Sequence, residues 1–140
     1  MNIELTEKEF RFLLDLVYIG NWVLNATREG DRIEEYDRLE EKIFARCDEA
    51  RLKSLISKYE GRTIPSRAYE EGGIHEAISD YEDAVFFEIL AEELARRDMS
   101  DEEISQDNLS ELTKRVDRYL SEFENNGVDN ISVDNIESNF

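Results

Sequence analysis

Carboxylates three residues apart on a helix share one face, and two such pairs on neighbouring helices are the arrangement that holds Mg²⁺ in helical phosphohydrolases. The chain carries seven pairs at this spacing: Glu4/Glu7, Asp31/Glu34, Glu34/Asp37, Asp37/Glu40, Asp80/Asp83, Asp98/Asp101 and Asp134/Glu137. With 35 acidic residues among 140, random placement alone gives roughly nine. The spacing is therefore not enriched. Glu34/Asp37 and Asp80/Asp83 still fall on two different expected helices, so a binuclear metal site between them is the one enzymatic arrangement the sequence offers.

That arrangement resembles the carboxylate set of MazG-like nucleotide pyrophosphohydrolases, and the resemblance implies Glu34, Asp37, Asp80 and Asp83 as metal ligands. The family's two adjacent Glu followed by Glu three residues later is absent. Glu34-Glu35 leads to Asp37 and Arg38, and Glu92-Glu93 leads to Arg96.

Other chemistry fares less well. His75 is the only histidine, and His75-Glu76-Ala77-Ile78-Ser79 has Ser where a zinc motif of the H-E-x-x-H type needs its second ligand. No nucleophile elbow or phosphate-binding glycine loop accompanies it, so His75 reads as an exposed first-turn residue. The single Cys47 excludes an internal disulfide and fits a reducing, cytoplasmic setting. No catalytic residue, cofactor or resident metal is assigned.

Net charge is −18 and unevenly placed: residues 1–70 carry 15 acids and 12 bases, residues 71–140 carry 20 acids and 5 bases. From Glu71 to Ala95 there is no Lys or Arg. Such a surface repels nucleic acid and anionic membranes and steers basic partners or cations towards the second half. No basic, apolar signal-peptide pattern opens the chain, and no apolar run reaches membrane-spanning length.

The elements that must position these residues are helices. Thr6-Glu7-Lys8-Glu9 is a capping box, and the helix it starts is expected to reach about Arg28 with only a narrow polar stripe. A second helix is expected from Asp31 towards Tyr59, with a break near Asp48, followed by an irregular segment at about 61–73. A third, from Ile74 to Arg97, should be the most buried element in its later half. Ser100-Asp101-Glu102-Glu103 is a second capping box, ahead of a fourth helix ending near Asn126-Gly127. Val128-Asp129-Asn130-Ile131 and Val133-Asp134-Asn135-Ile136 form a short tandem repeat in a loosely docked tail.

Gly20, Asn21 and Asn25 interrupt the otherwise apolar first helix. They point to a close helix approach at Gly20 with both amides bonded across the bundle, or to a polar recognition patch shared with Arg28. The run Leu16-Val17-Tyr18-Ile19-Gly20-Asn21-Trp22, with Glu93-Leu94-Ala95-Arg96-Arg97-Asp98, resembles a group of small uncharacterised bacterial helical proteins over roughly residues 5–100. The resemblance implies a bacterial, cytoplasmic protein and brings no activity and no functional residues.

The expectation is an all-α antiparallel bundle of four main helices, residues 1–127, with the first and third helices central and a tail at 128–140. Its expected role is a non-catalytic interaction or regulatory protein that self-associates or binds a protein partner. A metal-dependent nucleotide pyrophosphohydrolase and an acidic DNA mimic that inhibits a nucleic-acid-binding protein are the alternatives.

Overall fold

Helix α1 (Glu7–Asn25) starts where the capping box places it. Thr6 Oγ1 accepts from the Glu9 amide at 3.2 Å, and Glu9 returns a carboxylate to the Thr6 amide at 2.8 Å. In this computed structural model, which describes residues 2–100 and 102–133, the chain is mostly helical. Helices α2 (Glu34–Phe44), α3 (His75–Asp98) and α4 (Leu109–Asn126) follow, with strands β1 (Ile56–Tyr59) and β2 (Arg62–Pro65) between α2 and α3. The chain divides into two compact units, Met1–Ser79 and Asp80–Phe140. No helix among the described residues is long and apolar enough to cross a membrane.

The antiparallel hairpin replaces the expected continuation of the second helix and part of the expected irregular segment. Helix α2 gives way to a 3-10 turn at Ala45–Asp48, and Arg51 adopts a left-handed φ of 59°. Beyond it, Tyr59 pairs with Arg62 and Ser57 with Ile64. The two residues between, Glu60 and Gly61, have φ of 47° and 80°, the backbone of a turn whose twist matches that of the strands it joins. Glu41 on α2 fixes the hairpin by accepting from the Thr63 amide at 3.0 Å and from Arg62 Nε at 3.1 Å.

The first unit's core gathers Leu14, Tyr18, Phe44, Cys47, Tyr69, Ile74 and Ile78. Tyr69 is fully buried at its centre, on the short helical run Arg67–Tyr69 that Ser66 caps. Its ring meets Tyr18 and Phe44 edge-on at 5.3 and 5.1 Å, Arg11 lies 4.8 Å from its ring centre, and its hydroxyl donates to Asp15 at 2.9 Å. The second unit packs Ala95 and Met99 against Leu112, with Phe87 against Phe123 at 5.5 Å.

Neither α1 nor the later half of α3 is covered on most sides within its own unit. Within the second unit α4 covers one face of α3, where Ala91 and Ala95 are buried, while Phe86 and Ile89 on other faces are exposed. Helix α1 likewise turns Tyr18, Asn21 and Asn25 inward and leaves Phe12, Leu16 and Val23 exposed. The second capping box does not start a helix either: Ser100 has a left-handed φ of 57°, and α4 begins only at Leu109. There Asn108 organises the approach, donating to the Glu103 carbonyl at 3.0 Å and accepting from the Ser105 amide at 2.8 Å. The end of α4 is as expected, with Gly127 at φ 56°. Asp101 and residues 134–140, including most of the second copy of the tail repeat, lie outside the described residues.

Gly20 lies on α1 with no atom of the first unit outside its own stretch of helix within 4 Å of where a Cβ would stand, so within that unit the expected close helix approach is not made. Gly20→Ala should therefore raise stability by about 0.5–1 kcal/mol through helix propensity alone. The urea midpoint should rise at constant m value. A lower midpoint would mean that something does approach this face.

Candidate functional site

Tyr18, Asn21, Trp22 and Asn25 recur at steps of three and four along α1 and so share one face. Asn25 is almost wholly buried, and its amide copies a backbone pairing: Nδ2 donates to the Ile33 carbonyl at 3.0 Å while Oδ1 accepts from the Ile33 amide at 2.9 Å. This is why α1 stops at Asn25 rather than Arg28, since the chain must return to lay Ile33 alongside. Asn25 Nδ2 also donates to Asn21 Oδ1 at 2.8 Å, which aims the Asn21 Nδ2 at α2. That group donates to Asp37 at 3.0 Å and to Glu40 at 3.1 Å.

The amides thus bond across to α2, as the sequence suggested, and they frame a cavity of about 330 Å³ lined by Tyr18, Asn21, Trp22, Ala26, Arg32 and Glu40. Arg32 grips Asp37 through two bonds of 2.6 and 2.7 Å, which hold the Asp37 carboxyl below its usual range. Glu40 moves the other way. Burial raises its pKa, the charges of Asp37 and Glu70 add to the rise, and the Asn21 bond and the Arg32 charge oppose it.

At the other end Tyr18 Oη sits 2.8 Å from His75 Nε2 and 3.4 Å from Glu70 Oε1. Burial first, then the Glu70 and Glu40 charges, push the Tyr18 hydroxyl up to about 12. His75 also packs edge-on to Trp22 at 5.0 Å, and Tyr18 and Trp22 stack at 6.3 Å. His75 is therefore half-buried and fixes both rings, not the exposed first-turn residue the sequence suggested.

The opposite shifts give opposite pH dependences. Asp37 contributes stability that is present above its ordinary 3.8 and is lost as pH falls. Glu40 is neutral in both states below its ordinary 4.5; above it the folded protein holds the proton longer, so stability falls as pH rises towards the raised folded value. Glu40→Gln should remove that decline. Thermal melts of variant and parent should coincide near pH 4 and separate in favour of the variant near pH 7.

Of the four acids that only the alternative hydrolase reading makes metal ligands, Glu34 is exposed and bound to Arg38 at 2.6 Å, and Asp37 is taken by Arg32 and Asn21. Both belong to the first unit; Asp80 and Asp83 are exposed in the second. Among the described residues no group of three or more His, Cys, Asp or Glu could hold a metal ion. Glu40 and Arg32 were not singled out by the sequence. The signal was the Asp37/Glu40 pair at one helical turn, which matches the Asn21/Asn25 pair across the α1–α2 junction.

Comparison with protein-family models, with curated proteins and with solved structures finds no match.

Proposed function

We propose that the protein is a small non-catalytic interaction protein that docks a basic, amphipathic protein segment on helix α3. One observation carries the reading: Tyr81, Phe86 and Ile89 are 65%, 52% and 57% exposed on a helix that has no Lys or Arg before Arg96. Large apolar side chains standing in water on a charged helix mark a surface that another molecule covers. Glu82 lies four residues before Phe86 and Glu93 four after Ile89, so carboxylates border the anchors one turn away on either side. A partner helix with Leu or Phe along one stripe and Lys or Arg beside it satisfies both features.

The test titrates the protein with a Lys/Leu amphipathic peptide and with its Glu/Leu counterpart at two salt concentrations. The basic peptide should bind, more weakly at high salt, and Phe86→Ser with Ile89→Ser should weaken it by roughly 1–3 kcal/mol. Equal binding of the acidic peptide would remove this reading. Undiminished, salt-sensitive binding by the double variant would instead favour mimicry of DNA, which needs charge and no apolar anchor.

A further inference from the structure

We infer that the cavity of the first unit receives an organic ammonium group, with Glu40 as its counter-ion and Tyr18 and Trp22 as its aromatic wall. This site is independent of the α3 surface, since every residue in it belongs to Met1–Ser79.

The charges in the cavity are not balanced. Arg32, its only lining cation, is occupied by Asp37 through two bonds. Glu40 receives one hydrogen bond, from Asn21 at 3.1 Å, and among the described residues no Lys, Arg or His stands within ion-pair distance of it. Glu70 adds a second carboxylate beside the Tyr18 hydroxyl and likewise has no ion-pair partner among the described residues. Arg32 acts on Glu40 only at a distance, and a part-buried carboxylate with no cation bonded to it is unfavourable, so an arriving cation relieves it.

The lining decides which cation. A hard metal ion needs several oxygen ligands, and the described residues offer no such group here. An anion meets Glu40 and Glu70 and is repelled. An alkylammonium needs only one carboxylate and is also attracted to aromatic rings, two of which, Tyr18 and Trp22, line the space. His75 holds both rings in place, by its contact with the Tyr18 hydroxyl and its edge against Trp22. The ammonium can come from a free small amine or from a Lys side chain of a bound protein.

Trp22 is the only tryptophan, so its emission reports on the site. The full chain is titrated with n-butylammonium, tetramethylammonium, 1-butanol, acetate, and a short Lys peptide with its Nε-acetylated form, with calorimetry alongside. Saturable binding of the ammonium probes is expected, and Glu40→Gln should weaken it roughly tenfold or more, while the exposed Glu34→Gln should leave it unchanged. Binding of the free amines assigns a small-molecule ligand; binding of the Lys peptide alone, lost on acetylation, assigns a protein side chain. Equal response to 1-butanol, no saturable binding of any ammonium, or undiminished binding by a folded Glu40→Gln variant would overturn the inference. None of these results depends on Phe86 or Ile89.

Discussion

Tyr69→Ala is expected to cost the first unit about 3–5 kcal/mol, a large share of the stability of a domain this size. Tyr69 is fully buried, its ring is wedged edge-on between Tyr18 and Phe44, and Arg11 lies over it. Truncation removes those contacts and opens a void that neither α1 nor α2 can fill without moving. It also strands Asp15, which accepts the Tyr69 hydroxyl and pairs with Arg11. Tyr69→Phe separates the two effects, since it keeps the ring and should cost only about 1 kcal/mol. Urea unfolding followed by Trp22 emission measures both. A Tyr69→Ala loss no larger than that of Tyr69→Phe would show that the ring is not the centre of this core.

The second large effect is expected at Asn25→Leu, a change of similar size that removes every polar atom. Three hydrogen bonds disappear together, and the Ile33 amide, the Ile33 carbonyl and Asn21 Oδ1 lose their partners. At about 1–3 kcal/mol for each buried group left unsatisfied, and with water reaching some of them, a total on the order of 3–4 kcal/mol follows. Asn21 then loses the contact that orients its donors, so Asp37 and Glu40 should shift as well. Hydrogen exchange reads this locally: the Ile33 amide, bonded in the parent, should exchange much faster in the variant. Unchanged protection at Ile33 would mean that the segment before α2 is held by something else.

Legibility in the sequence followed the range of the interactions. The Thr6-x-x-Glu9 box fixed the start of α1 because every participant lies within four residues, and Gly127 marked the end of α4 for the same reason. The hairpin was missed because its segment also carries a helix-like run, Leu52, Leu55, Ile56 and Tyr59. What decides for strands is the Glu60-Gly61 turn together with Glu41, twenty-two residues before Thr63. Ser100-x-x-Glu103 has the residues of a capping box, yet Asn108 binds the Glu103 carbonyl and delays the helix.

The site was half legible. Asn21 and Asn25 stood out as amides in an apolar helix, and each found its partners across the junction with α2. Glu40 was one acid among many until the fold set it against Asn21. The burial of α3 could not be read from its apolar residues, because a helix apolar on several faces is covered only where another element reaches it.

Cys47 gives the first unit a kinetic handle. It is the only thiol in the chain, it is fully buried with Phe44 and Tyr69, and burial raises its pKa. A disulfide reagent can attack it only after that core opens, so the labelling rate, in enough reagent to outrun reclosing, reads how often opening occurs under native conditions. Variants that loosen the ring cluster around Tyr69 should be ranked by that clock without any denaturant.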